Sequence, residues 1–153
     1  MNTLKAATLS KAEEFLSLSA LGIIGISEKK QKFGNAIFKE LKNKNKRIYQ
    51  IHKSLTLVND SPCYSSYEFL PEKIDGLIIN VKPAKVKSII EEYHKAGVKN
   101  FWIQQGSNSE EAIAYCKQNN INFISGKCIL MFLEPVTSIH HFHKTLLKWF
   151  SKN

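Results

Sequence analysis

Leu21–Leu41 reads LGIIGISEKKQKFGNAIFKEL, and the fold turns on how this stretch is read. It opens with an apolar run, Leu21-Gly22-Ile23-Ile24-Gly25-Ile26. The run is too short for a helix and rich in isoleucine, so it predicts a strand buried on both faces. A polar loop, Ser27 to Lys32, follows. Beyond it Ala36, Ile37 and Leu41 recur at helical spacing, opposite Lys39, Glu40 and Lys42, which predicts an amphipathic helix. Strand, glycine-containing turn and helix start together suit an anion. The N–H groups of a helix's first turn and its dipole favour negative charge there. Gly25 and Gly34 have no Cβ and let a ligand come close to the backbone. Ser27 offers a hydroxyl, and Lys29, Lys30 and Lys32 supply positive charge. An ordinary strand-to-helix turn with solvated lysines fits the same residues.

Outward from this stretch the chain alternates. Residues 1 to 9 read as a lead-in, and Ser10-Lys11-Ala12-Glu13 matches a capping box for a short helix over 11–18. Asn43 and Asn45 can end the helix after the first strand in the left-handed conformation. Arg47 to Ile51 predicts a second strand. Residues 55–64 are irregular, with a turn at Asn59-Asp60-Ser61-Pro62 and room for a short edge strand. Ser65-Ser66-Tyr67-Glu68 again resembles a capping box, before a brief helical turn. Asp75 to Val81 is a strand, and Pro83 suits the first turn of the next helix. That helix buries Val86, Ile89, Ile90 and Tyr93, and Gly97 stops it. Val98 to Gln104 is a strand. Ser107 or Asn108 caps a helix over 109–118, and Asn119-Asn120 ends it. Ile121 to Ser125 is the last strand. Residues 137–152 predict a terminal helix with Ile139, Phe142, Leu146 and Trp149 or Phe150 on one face. This order predicts one α/β domain over residues 1–153, a Rossmann-like, doubly wound parallel sheet of about five strands with helices on both faces.

Composition narrows the partners. The chain has 153 residues, with 22 Lys and Arg against 13 Asp and Glu, a formal net charge of +9. A basic balance favours anionic ligands. Arg47 is the sole arginine, which argues against nucleic acid, because arginine dominates base reading and bidentate phosphate binding. No run approaches the roughly 20 apolar residues of a membrane span. No secretory signal is legible at the N-terminus. Cys63, Cys116 and Cys128 are odd in number and widely spaced, so free thiols in a reducing cytoplasm are expected.

Doubly wound sheets bind ligands outside the carboxyl ends of their strands, where strand order reverses. With an edge strand in 55–64, the strand at 75–81 lies beside the first. The loops after Ile26, Ile51, Val81 and Gln104 then share one rim, offering Ser27, Lys32, His52, Lys53, Asn80, Lys82 and Gln105. An NAD site of this kind wants G-x-G-x-x-G and a carboxylate ending the second strand. Here that strand ends in His52-Lys53. A cation in place of the carboxylate favours a phosphorylated ribose, as in NADP or coenzyme A.

At these residues the chain resembles the small single-domain CoA-binding proteins, related to the CoA-binding domain of the succinyl-CoA synthetase α subunit. The matching segments are Gly25-Ile26-Ser27 with Lys32-Phe33-Gly34-Asn35, Ile48-Tyr49-Gln50-Ile51, Asp75-Gly76-Leu77-Ile78-Ile79 and Val81-Lys82-Pro83. Phe101-Trp102-Ile103-Gln104-Gln105-Gly106 and Gly126-Lys127-Cys128-Ile129 complete the set, over about residues 18–132. The resemblance implies that the rim holds the nucleotide and diphosphate of coenzyme A or an acyl-CoA, without an established catalytic residue. Carried onto this chain, Ser27 and the start of the helix at Phe33, Gly34 and Asn35 meet the diphosphate. Lys32, His52 or Lys53 meets the 3′-phosphate, and Asn80, Val81, Lys82 and Pro83 with Gln105 and Gly106 line the rest. The family's second strand usually ends in Val-x-Pro-Val-Asn-Pro; Ile51-His52-Lys53 departs from this, which implies different adenosine-side contacts.

Three further groups carry alternatives. Cys128 is either a thiol near the CoA sulfur or a small buried residue. With a C-terminal histidine it could serve a small NADP-dependent or acyl-CoA-processing enzyme. His140 and His143, three apart beside His141, could share a metal or lie on a solvated helix face. Phe142, Trp149 and Phe150 suit a docking face against the domain or a second copy of the chain.

Overall fold

A computed structural model describes residues 3–29 and 32–133. The helix expected over 137–152, with His140, His141 and His143, lies outside the described residues. Helix α1 (Thr3–Leu16) leads into β1 (Leu21–Ile24), α2 (Phe33–Asn43) and β2 (Ile48–Ile51). The short strands β3 (Leu57–Val58) and β4 (Ser61–Tyr64) follow, then a 3-10 turn over Tyr67–Phe69. The second half runs β5 (Gly76–Ile79), α3 (Pro83–Lys95), β6 (Asn100–Gln104), α4 (Glu110–Gln118) and β7 (Asn122–Lys127), with a 3-10 turn over Ile129–Phe132.

The sheet order is β3-β4-β2-β1-β5-β6-β7. Every pairing is parallel except β3 with β4. The α/β reading with helices on both faces holds, but the sheet has seven strands, not about five. The additions come from residues 55–64, which form a hairpin rather than one edge strand. Asn59 and Asp60 both take positive φ, 55° each, at its turn. Positive φ at both central residues is the twist-matched geometry of a two-residue hairpin. The fully buried Gln50 amide ties the hairpin to β2, donating to Val58 O at 2.8 Å and Ser61 O at 3.1 Å and accepting from Asn59 Nδ2 at 2.8 Å.

The central strands are buried on both faces. Leu21, Ile23, Ile78 and Trp102 pack with α1, α2 and Ile129–Leu130. Leu77, Ile79, Phe101 and Ile103 pack with α3 and α4. Trp102 is fully buried between Phe15 and Phe132, edge-on to both, and its Nε1–H donates to Lys127 O at 2.9 Å.

Three termini depart from the local patterns. Helix α1 begins at Thr3, so Ser10 and Glu13 lie inside it rather than forming a cap. Ala6, Ala7 and Leu9 are strong helix formers and extend the helix through the supposed lead-in. Helix α4 is capped by Ser109, whose Oγ accepts from Ala112 N at 3.2 Å, not by Ser107 or Asn108. Ser66 precedes the turn at Tyr67 without a side-chain cap. The predicted stops at Asn45, Gly97 and Asn120 all carry positive φ. No described helix is long and apolar enough to cross a membrane.

Candidate functional site

Strands β1 and β5 are neighbours, and the chain leaves them in opposite directions, toward β2 and toward β6. This is the sheet's switch point. The expected rim residues assemble around it. Gly25 and Ser27 follow β1, with Lys32, Phe33, Gly34 and Asn35 at the start of α2. Asn80, Val81, Lys82 and Pro83 join β5 to α3. His52 and Lys53 follow β2 on one flank, and Gln105 and Gly106 follow β6 on the other. All leave the carboxyl ends of parallel strands, so all face the same end of the sheet.

The two glycines are needed by the chain itself. Gly25 has φ +115°, and a Cβ there would run into the backbone carbonyl of Asn80. A Cβ on Gly34 would run into the carbonyl of Gly25. Helix α2 therefore starts against the end of β1, and both lie against the end of β5. The close approach visible here is of backbone to backbone, and it draws the two loops into one crevice.

Buried polar side chains fix the loops. Asn35 is 1% exposed; its Oδ1 accepts from Ser27 N at 3.1 Å and its Nδ2 donates to Ser27 O at 2.7 Å and Lys29 O at 3.2 Å. Its side chain is thus engaged with its own loop, which it clamps. The Ser27 hydroxyl accepts from Lys29 N at 3.2 Å, leaving its proton to be donated elsewhere. On the β5 side, Ser107 is 2% exposed and its Oγ accepts from Val81 N at 3.1 Å. The sequence reading offered Ser107 only as a helix cap; its partner lies 26 residues away, and no local pattern marks it. On the flank, His52 Nδ1 accepts from Ser54 N at 3.1 Å and Leu55 N at 3.2 Å.

Lysines collect at the rim, with Glu28 beside them in the loop after β1. Helix α2 has Lys32 as its N-cap residue and α3 has Lys82, neither start has a side-chain cap, and neither first turn holds an acidic residue. Two helix starts of this kind flank the switch point. Lys29, Lys32, Lys53 and Lys82 are all exposed, and among the described residues none joins an ion pair. Exposed cations beside uncapped helix starts make a positive crevice in which a diphosphate can replace solvent.

Cys128 stands apart, after β7. It is 3% exposed, and burial pushes its thiol up, partly offset by contacts from Gln104 and the backbone of Leu130 and Met131. The fully buried Gln104 accepts from Ile129 N at 3.1 Å through Oε1, while its Nε2 lacks a partner of good geometry. Burial also pushes Cys116 up to about 11. No group of three metal-ligating side chains forms among the described residues. Two clefts of about 160 and 310 Å³ lie at the opposite, amino ends of β5, β6 and β7, lined among others by Phe15, Leu18 and Asn100.

Residues 20–134 match the model of the CoA binding domain. The chain belongs to this family. Among curated relatives, an ADP-forming acetate–CoA ligase of Methanocaldococcus jannaschii is 32% identical over 116 residues, covering 76% of this chain and 16% of the ligase. ADP-forming acetate–CoA ligase I of Archaeoglobus fulgidus is 26% identical over 121 residues, 72% of this chain and 18% of the ligase. The chain therefore spans less than a fifth of the length of these relatives. Among solved structures, a conserved hypothetical protein from Pyrococcus furiosus superposes with a TM-score of 0.68 at 27% identity, covering 73% of this chain and 97% of that one. The CoA-binding domain begins after α1 and takes in every rim residue named above.

Proposed function

We propose that this chain is a non-catalytic CoA-binding protein, a single domain that holds coenzyme A or an acyl-CoA at the carboxyl rim of its sheet. The observation that carries the reading is the pair of uncapped, lysine-led helix starts at the switch point. The start of α2 at Phe33 and Gly34, with the Ser27 hydroxyl, receives the diphosphate. Asn35 acts by holding that loop. Lys32 or Lys53 meets the 3′-phosphate, with His52 shaping the loop. Asn80, Val81, Lys82 and Pro83 line the far wall, and Gln105 and Gly106 extend it toward β6. The absence of a carboxylate after β2 favours this ligand over NAD. The relatives named acetate–CoA ligases support the choice of ligand. Their chemistry is not carried over, because the match is confined to a small part of their length.

Burial of Cys128 supports the non-catalytic reading, since a thiol becomes a nucleophile only as thiolate. The ligand is a small nucleotide, with no requirement for a membrane or nucleic acid, in keeping with a cytoplasmic site of action.

Thermal melting with CoA, dephospho-CoA, acetyl-CoA and NADP tests the proposal. A ligand at about 100 times its Kd stabilises the native state by roughly 2.7 kcal/mol. For a chain of this size that raises Tm by several degrees. CoA and acetyl-CoA should do so, and dephospho-CoA should do so less. Equal shifts with CoA and dephospho-CoA would remove the 3′-phosphate role of the lysines. A shift with NADP alone would replace the reading by an oxidoreductase one.

A further inference from the structure

After β7 the chain turns back over the face of the sheet that carries α1 and α2. The 3-10 turn over Ile129–Phe132 packs against both helices, so it lies between them. Ile129 and Leu130 are buried. The next three residues, Met131, Phe132 and Leu133, are as apolar but only half-buried, and they rest on the core cluster that α1 and α2 share. Phe132 stands edge-on to Trp102. Phe33, the first residue of α2, is half-buried on the same cluster. These four side chains make an apolar patch that the described residues cover only in part. Single apolar side chains at a surface are ordinary, whereas a group of them marks a contact surface.

The chain itself supplies the occupant. Twenty residues, 134–153, follow Leu133 in the sequence. Leu133 is part of the patch, so they start from its edge. Pro135 has no N–H to donate and keeps the residue before it out of the helical region, so the 3-10 turn does not simply run on. Glu134 to Val136 are then a short connection to the helix expected over 137–152, and short connections set consecutive elements side by side. A helix of that length spans about 24 Å at 1.5 Å per residue, enough to run past the 11 residues of α2. Ile139, Phe142 and Leu146, with Trp149 or Phe150, form a stripe down one side of it. Such a stripe needs a surface to bury against. The net charge of +9 on each chain disfavours a second copy. The short tether gives the chain's own patch a high effective concentration. Charge agrees with this choice: Lys144, Lys148 and Lys152 outnumber Glu134, the one acid after Leu133, and α1 and α2 carry Glu14 and Glu40.

We propose that residues 137–152 dock as a helix along α2, with their stripe on the patch of Phe33, Met131, Phe132 and Leu133. Phe33 opens α2, so the docked helix flanks the start of α2 and shelters that side of the crevice. The sheltering, unlike the docking, rests on the CoA reading above.

Hydrogen exchange of the whole, unliganded chain, read by mass spectrometry, tests the docking. Amides of residues 137–152 should exchange at least about tenfold more slowly than in a synthetic peptide of the same residues, at every protein concentration. Leu133→Lys takes an apolar side chain from the patch, and Phe142→Lys takes one from the stripe. Each should return the segment to the rate of the peptide, while β1 and β5 stay protected and show the core intact. Phe142→Lys leaves the described core untouched and decides the matter if Leu133→Lys unfolds. Exchange as fast as in the free peptide overturns the proposal. So does protection that survives both substitutions, which puts the segment elsewhere, or protection that grows with concentration, which gives the patch to a second copy. CoA affinity, measured in parallel, should fall several-fold in both variants. Unchanged affinity removes the sheltering. The expected exchange in a protein that binds no CoA upholds the docking and removes the CoA reading instead.

Discussion

The two halves of the carboxyl rim are built on opposite plans. At the switch point, α2 and α3 start with lysines, lack side-chain caps and hold no acid in the first turn. One strand further out, α4 starts with Ser109 as a hydrogen-bonded cap and Glu110 and Glu111 beside it. The second plan is the self-sufficient one: cap and carboxylates answer the helix's own N–H groups and dipole. The first has neither a side-chain cap nor a carboxylate in that role. The contrast separates helix starts that answer their own N–H groups with side chains from starts that do not.

The sharpest way to break this comparison is to add one methyl group on each side. Gly34→Ala places a Cβ against the Gly25 carbonyl, backbone against backbone, where neither can yield. Overpacking typically costs about 1–3 kcal/mol, and a clash with backbone belongs at or above the top of that range; the expected result is a marked drop in the urea midpoint, larger than at the outer position. Gly106→Ala is its counterpart in the outer half. Nothing lies within 4 Å of a Cβ at Gly106, and only its φ of +93° resists the change. Its cost should stay near 1–2 kcal/mol. Equal losses at the two positions would mean that the β1–β5–α2 contact is not the tight joint described.

Caps provide the next test. Lys82→Ser gives α3 the side-chain cap it lacks and removes a rim cation. The unliganded protein should gain stability by up to about 1 kcal/mol, while CoA binding weakens. Ser109→Ala runs the other way, losing about 1 kcal/mol with CoA binding unchanged. Unfolding curves with and without CoA read both effects. If Lys82→Ser leaves the shift with CoA intact, the start of α3 is not part of the site.

The difference between these halves was only partly legible in the chain. The β1–α2 unit could be read because the isoleucine run and the helical repeat are local patterns, and the position of the rim followed once the alternation was recognised. The lysines and the missing carboxylate after β2 were equally plain. What escaped were features that depend on contacts across the chain. The hairpin of residues 57–64 has too few residues for periodicity and is organised by the buried Gln50 amide. Ser107 and Asn35 act on backbone 26 and 8 residues away, so their types alone suggested a cap and a ligand contact. At Ser10 a capping-box pattern sat inside a helix whose start was set by the residues before it.

The smallest expected effect extends the comparison along a single strand. At its carboxyl end β2 offers His52 and Lys53, and no acid pairs with Lys53 among the described residues. Before its amino end, Arg47 pairs with Glu72, which also accepts from the Tyr49 hydroxyl. Cation and carboxylate satisfy each other there and leave nothing for a ligand. The hydrogen bond from Arg47, then that from Tyr49, holds the Glu72 carboxyl below its ordinary value. A lowered carboxylate stabilises the fold above the unfolded pKa, and that contribution disappears as pH falls through the folded one. Acidification from pH 6 to pH 3 should therefore cost the wild type slightly more stability than Glu72→Gln or Arg47→Ala. The gap should shrink in high salt, because the pair is exposed and screened. Indistinguishable pH profiles would show that the pair orders the surface without stabilising it. CoA binding should be untouched in either variant, since the pair lies at the end of the strand away from the rim.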